Sequence, residues 1–199
     1  MEMLGRDQIA QADLADWRKL GQGLHTRFLV GDFAAGARLV SAIAEAGDAV
    51  GHHPRVTLSG GHVDLRLVSD DAVFRDDEGT EHTVEWVTQR DVDLARRVSE
   101  IAAEQAVRAD PASITTIELA LDTADAARIA PMWAAVLTGS TDAHGRGTIG
   151  DDVRDDTGRV PILWFQDTEE HETPRQRFHL DVWVAPEVAD QRIAAAVAA

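Results

Sequence analysis

The chain has no cysteine among its 199 residues, which removes disulfides, thiolate nucleophiles and zinc-thiolate sites together. Any metal would have to be held by histidine and carboxylate. Positive charge is scarce as well: 19 Lys and Arg stand against 35 Asp and Glu, a formal net charge of −16. A phosphate backbone or an anionic lipid surface would be repelled over most of such a surface, so neither nucleic acid nor membrane is expected as a partner. No apolar run approaches a membrane span, and Met1 to Arg6 lacks the apolar core of a signal peptide, which points to a cytoplasmic protein. The Gly-rich phosphate loop, the Gly-x-Ser-x-Gly elbow and the His-Glu-x-x-His motif are all missing.

An apolar content of 44% suffices for one large core or two small ones. The pattern predicts a short helix from Asp7 to Ala15 with Asp7 as its cap, and a hairpin from Trp17 to Val30 turning at Gly21, Gln22 and Gly23. Asp32 should then cap a helix from Phe33 to about Val50, with Phe33, Ala37, Val40, Ile43 and Ala44 on its buried face. In a second hairpin, Arg55 to Leu58 with His62 to Val68, residues Val63, Leu65 and Leu67 point inward while Asp64 and Arg66 point outward. Ala72 to Val87 reads as an extra hairpin around Asp76 to Gly79. Thr88 follows as the cap of a helix from Gln89 to Gln105, whose Leu94, Val98, Ile101 and Ala102 face the core. The sum is an α+β domain, an antiparallel sheet with helices on one face. Arg108 to Ser113, short, polar and broken by Pro111, reads as a linker.

The stretch Asp48, Ala49, Val50, Gly51, His52, His53, Pro54 says most about function. Adjacent histidines on extended chain point to opposite sides, so they work together only at a bend. Pro54 supplies one by pushing His53 out of the helical region. The plainer reading is two residues complementing the negative end of a helix dipole. The chemical one is a rigid corner carrying two groups that titrate near neutral pH.

With Leu14 to Arg18 and Leu24 to Phe28 before it, and Val87, Thr88, Gln89, Arg90, Asp91 after it, this stretch resembles the pterin-4a-carbinolamine dehydratase family. The resemblance runs from about Gln8 to Glu104. It implies a hydro-lyase that dehydrates 4a-hydroxytetrahydrobiopterin to quinonoid dihydropterin by histidine acid/base catalysis. It further implies a small-molecule pterin substrate, no cofactor, and a homodimer or homotetramer. Residue by residue, His52 and His53 fill the adjacent catalytic histidines, Pro54 the bend, Asp91 the helix-start aspartate and Asp48 the acidic position four before the pair. The family's third histidine has two candidates. Counting forward from Pro54 puts Asp70 where the family has Thr-His; counting back from Asp91 reaches His82. The counts differ by an inserted acidic hairpin, Asp70 to Glu81, and the reading leans to His82 as the displaced third catalytic histidine. Pro54, Asp70 and Asp48 are then expected to line the substrate. The family's aromatic between the histidine pair and the strand falls at Ser59 or Gly60.

From Thr115 the pattern restarts: a strand to Leu121, a helix from Ala124 to Leu137, a strand from Val160 to Phe165, another from Arg177 to Val184, and a helix from Ala185. Arg177 to Val182 before an alanine-rich helix, with Met132 and Trp133 in the earlier helix, resembles the glyoxalase-like branch of the vicinal oxygen chelate superfamily. That likeness implies an incomplete βαβββ unit at 114–199 behind a dehydratase-like domain at 1–107. Ile117, Glu118, Leu119 matches Phe178, His179, Leu180, so Glu118 and His179 become weak candidate metal ligands. Two ligands fall short of the three or four a metal usually takes, and no metal is expected. His144 and His171 read as solvated loop residues, and the acidic run Asp151, Asp152, Asp155, Asp156 lacks the Gly and terminal Glu of a calcium loop. Trp86 and Trp164 should pack cores. A half-built sheet exposes an edge, so this unit is expected to be dimerised, disordered or vestigial. Two other functions fit the sequence: a non-catalytic binding or dimerisation protein on the dehydratase fold, and a vicinal-oxygen-chelate enzyme completed between chains.

Overall fold

The computed structural model of the protein describes residues 1–145, 152–155, 157–170 and 177–198. His171, Asp151 and Asp156 lie outside the described residues. Contacts divide the chain into two compact units: Met1–Val73 with Glu85–Thr115 and Val184–Ala199, and Phe74–Val84 with Thr116–Trp183.

The first unit is built on an antiparallel sheet. Its strands are β1 (Arg18–Leu20), β2 (Gly23–Leu29), β3 (Arg55–Leu58) and β4 (His62–Leu67), in the order β1-β2-β4-β3. Opposite residues in β2 and β4 include Thr26 with Leu65 and Phe28 with Val63. Alternation sends Leu24, Thr26, Phe28, Val63, Leu65 and Leu67 to one face. There α2 (Phe33–Val50) and α3 (Gln89–Glu104) cover them with Leu39, Ile43, Val92, Leu94, Ala95, Val98, Ile101 and Ala102. Trp17 fixes the entry to β1 by donating its indole N–H to the Ala95 carbonyl at 3.1 Å. The other face is polar, and Arg27 clamps its cross-strand partner Asp64 through two bonds of 2.7 Å.

Helix α2 has the expected bounds, and Asp32 Oδ1 accepts the Ala35 N–H at 2.7 Å as its cap. Its buried stripe keeps Ile43, and in part Val40, from the expected set but otherwise differs from it. Gly36, Leu39, Ile43 and Gly47 face inward while Phe33 is 58% exposed. Two glycines sit on the stripe because neighbouring chain approaches too closely there for a Cβ, from Leu58 at Gly36 and from the histidine corner at Gly47.

Two other expectations change, and a third is met with shifted bounds. Helix α1 spans Arg6–Gln11 and is capped by Gly5, not Asp7, because the Gln8 side chain reaches back to accept the Gly5 N–H at 2.8 Å. The expected linker is part of the sheet. Arg108–Ala109 forms β7 against Leu29 and Phe28 of β2, the Asp110 N–H donates to the Arg27 carbonyl at 2.7 Å, and Pro111–Ser113 turns as a 3-10 helix. Its polar residues misled the reading because β7 uses only backbone bonds. The extra hairpin is β5 (Ser69–Arg75) with β6 (Glu81–Trp86), closed by a turn in which Asp76 and Thr80 pair.

In the second unit, β8 (Thr115–Thr123) lies between β10 (Phe178–Val184) and β9 (Leu163–Asp167), parallel to β9 with Leu121 opposite Phe165. Helix α4 (Ala126–Thr138) is capped by Asp125 and packs Ala130 and Ala134 over Leu121, Leu163 and Phe165. His144 is half-buried and bridges to Val153, so it is not the solvated loop residue expected; Ala143 beside it belongs to this core. Helix α5 (Pro186–Ala198) closes the chain and, within the first unit, places Glu187 on Arg18 at 2.5 Å.

Candidate active site

The end of α2 builds the histidine corner. Gly51 takes a left-handed conformation (φ 62°), which glycine adopts without strain. The chain reverses, and the His52 N–H donates to the Gly47 carbonyl at 3.1 Å. A Cβ on Gly47 would stand 2.8 Å from the His52 carbonyl oxygen and 2.8 Å from His53 Cδ2. The corner lies directly on the glycine.

The reversal drives His52 inward, to 8% exposure, and leaves His53 on the surface before Pro54. His52 Nε2 meets Asp91 Oδ1 at 2.7 Å, and Asp91 is fully buried. The other carboxylate oxygen, Oδ2, accepts the Thr88 N–H at 2.8 Å, the Ser69 hydroxyl at 2.7 Å and the Thr88 hydroxyl at 3.0 Å; the two hydroxyls are 2.8 Å apart. Burial opposes ionisation of Asp91, but the bonds from His52, Thr88 and Ser69 outweigh it and hold the carboxyl below its ordinary range. Asp91 is therefore an anion that only accepts, so the Nε2 of His52 faces it as the donor and Nδ1 is the nitrogen turned away from it. Asp91 is also the third residue of α3, closing a capping box with Thr88. One carboxylate thus caps the helix with one oxygen and orients the histidine with the other.

His53 is paired outside this core, its Nε2 lying 2.8 Å from Asp48 Oδ1 with both side chains largely exposed. His82 lies on β6, where its Nε2 meets Asp76 Oδ2 at 2.8 Å and its ring tilts against Phe74. The bond from His82, then the Thr80 N–H, lowers the Asp76 carboxyl below its usual range. Asp70 is exposed at the start of β5, next to Ser69. The structure brings together His52 with Asp91 and His53 with Asp48, each pair within hydrogen-bond reach.

Sequence reasoning passed over Ser69, Gly47 and the Thr88 hydroxyl. The Thr-x-x-Asp spacing was a visible signal for Thr88, since it spells a capping box. Ser69 carries no comparable spacing signal. His25, on the polar face of β2, was not singled out either. Burial first, then the nearby charges of Arg66 and Lys19, lower its pKa to about 4.

Glu118 and His179 stand on adjacent strands, β8 and β10. Glu118 is buried and accepts the Trp183 indole N–H at 2.9 Å, while His179 lies 3.8 Å from both Asp122 and Asp181 with its ring edge-on to Trp164. Among the described residues, no group of three or more His, Asp or Glu is arranged to hold a metal ion. Trp86 packs against the first unit's core, and Trp164 donates to Asp181 at 3.0 Å.

Fold and corner together define a dehydratase-like α+β domain. Residues 2–101 match the family model of pterin 4 alpha carbinolamine dehydratase, and the chain belongs to that family. Residues 118–199 match a glyoxalase-like domain. A protein of Nocardia farcinica named "Putative pterin-4-alpha-carbinolamine dehydratase" is 33% identical over 51% of this chain and 96% of its own length. A protein of the same name from Thermosynechococcus vestitus is 30% identical over 46% of this chain and 83% of its own. A crystal structure of a transcriptional coactivator/pterin dehydratase from Brucella melitensis shares 22% identity at a TM-score of 0.41, covering 51% of this chain and 99% of that one. No helix among the described residues is long and apolar enough to cross a membrane.

Proposed function

We propose that the protein is a hydro-lyase that dehydrates a 4a-hydroxytetrahydropterin, with His52 and His53 as its acid/base pair. The observation that carries this is the 2.7 Å contact between buried His52 and the fully buried Asp91 carboxylate, held at a corner whose next residue is His53. The reaction breaks the C4a–O bond and removes a proton from N5, giving water and a C4a=N5 double bond. One group must protonate the departing hydroxyl and one must accept the N5 proton, and imidazole does both near neutral pH. The Nδ1 of His52 is the free lone pair suited to accept. His53, more open to solvent, is suited to deliver. The chemistry is redox-neutral and calls on no cofactor.

The third polar group in this reading is Asp70 rather than His82. The β3–β4 hairpin pairs without a bulge from Arg55 to Arg66, so the count from Pro54 runs unbroken to Ser69 and Asp70. The extra residues then fall beyond Asp70, in the hairpin that carries His82 and its partner Asp76. Domain boundaries of 1–107 for the dehydratase-like part and 114–199 for the glyoxalase-like part, and assembly as a homodimer or homotetramer, belong to the same proposal.

The test is the rate of dehydration of 4a-hydroxytetrahydropterin generated in situ. Removing one general acid/base group costs on the order of 100- to 10,000-fold. Wild type should exceed the uncatalysed rate, and His53→Ala and His52→Ala should each lose most of the excess. A wild-type rate equal to the uncatalysed one overturns the proposal and leaves a binding role for the fold.

A further inference from the structure

The corner contains one side chain with no assigned role and a geometry that fits one. Ser69 is buried, opens β5, and donates to the Asp91 oxygen that does not face His52, at 2.7 Å. Its second contact is the Thr88 hydroxyl at 2.8 Å. Thr88 is itself committed as the N-cap of α3, its backbone N–H donating to the Asp91 carboxylate. Each hydroxyl has one proton. Two protons serve three contacts: Ser69 gives its proton to Asp91, and Thr88 gives its own either to Ser69 or to Asp91. In either arrangement Asp91 receives the Ser69 proton, with His52 on its other oxygen.

We propose that Ser69 is a positioning residue for the dehydration reaction: its hydroxyl fixes the Asp91 carboxylate, and through it the tautomer and orientation of His52. This rests on the dehydratase reading for its catalytic consequence, but not for the tautomer itself. A carboxylate shared among several donors spreads its charge over all of them. Removing Ser69's proton concentrates that charge on the bond to His52, which then holds its second proton more tightly. The ring also gains room to rotate, because one of the bonds defining the carboxylate plane is gone. A serine that merely fills space would do neither.

The experiment uses the full chain labelled with 15N at histidine, with the His52 resonances assigned by their loss in His52→Gln. In wild type at pH 7, His52 should show a protonated Nε2 and a bare Nδ1. In Ser69→Ala the midpoint of His52 titration should rise by roughly half to one pH unit, the size of a partial loss of one charge-assisted bond. Ser69→Thr, which restores the hydroxyl, should return it to the wild-type value. Ser69→Cys, close in size and a weak donor, should follow Ser69→Ala and serves if the alanine variant does not fold. In the dehydration assay, kcat should fall about tenfold in Ser69→Ala with KM little changed, and Ser69→Thr should recover it. An unmoved His52 titration in both the alanine and the cysteine variants, or failure of threonine to rescue, overturns the proposal. A shifted and rescued titration in a protein without dehydratase activity upholds the positioning role and rejects the dehydratase reading.

Discussion

Gly47→Ala should damage activity more than stability. In an ordinary helix interior this change stabilises by about 1 kcal/mol, since alanine gives up less backbone freedom than glycine on folding. Here the new methyl would lie 2.8 Å from the His52 carbonyl oxygen and 2.8 Å from His53 Cδ2, closer than packed carbon atoms come. Relief requires the corner to move off the helix by some tenths of an ångström, and such overpacking costs roughly 1–3 kcal/mol. The two terms nearly offset, leaving a net destabilisation of about 0–2 kcal/mol and a fall of a few degrees in Tm. Activity has no such offset. The displaced atoms belong to both histidines, and since a 1 Å misplacement of a catalytic group costs on the order of 100-fold, a shift of some tenths should cost roughly 3- to 10-fold. Thermal unfolding and dehydration kinetics on the same preparation read the two effects separately. Gly36→Ala is the matched comparison: its methyl would collide with the flexible end of Leu58, so it should cost stability and spare the rate. If Gly47→Ala unfolds at a higher temperature than wild type and keeps its full rate, helix propensity alone governs the position and the corner is not held by close approach.

Three further outcomes follow from the same geometry. His25 has its pKa lowered from 6.5 to about 4 by burial, then by Arg66 and Lys19, so the unfolded chain binds its proton first. The stability tied to a neutral His25 is whole above pH 6.5 and is lost as pH falls towards 4, about 3 kcal/mol across that window. Urea unfolding at pH 7 and pH 4 should show a correspondingly smaller drop in His25→Gln, and equal drops would refute the assignment. Thr26 has a fully buried hydroxyl without a hydrogen-bond partner among the described residues, so Thr26→Val should stabilise by about 1 kcal/mol in chemical denaturation; a loss of stability would show that the hydroxyl is satisfied. Asp70→His should raise the dehydration rate about tenfold or more while His82→Asn leaves it unchanged, and the reverse pattern would make His82 the third group.

The sequence was most legible where one residue has one job. Asp32 announces a helix start because its side chain accepts the Ala35 N–H, and Thr88 because its spacing to Asp91 spells a capping box; both helices begin where expected. The alternation in β4 is legible for the same reason, one face being apolar and the other charged. Helix α2 was read wrongly at part of its buried face because its inward positions include two glycines, which carry no hydropathy signal; only the chain packed against them shows why they are there. The segment 108–113 was misread because β7 joins the sheet through backbone atoms, which every residue has. At the corner, the pairing of His52 with Asp91 spans 39 residues, and no local pattern states such a distance. What the sequence did carry was the spacing of the corner itself, and the acid four residues before the histidine pair does meet His53.

The two duties of Asp91 bear on how any substitution there is to be read. Its Oδ2 is part of the α3 cap, and its Oδ1 orients His52. Losing a cap costs roughly 1 kcal/mol, while leaving a buried network short of a charged partner costs about 3 kcal/mol or more. Asp91→Ala removes both functions and should unfold much of the protein before it reports on chemistry. Asp91→Asn separates them. The amide oxygen can still accept the Thr88 N–H and the Ser69 hydroxyl, so the cap survives. Its NH2 group then faces His52 Nε2 as a donor, which forces the proton to Nδ1 and removes the lone pair from the side where the pterin nitrogen must be deprotonated. The asparagine variant should therefore stay folded and lose the rate, with His52 in the opposite tautomer by 15N NMR. An active asparagine variant would show that His52 does not act as the base through Nδ1, and the acid and base would have to be exchanged between His52 and His53.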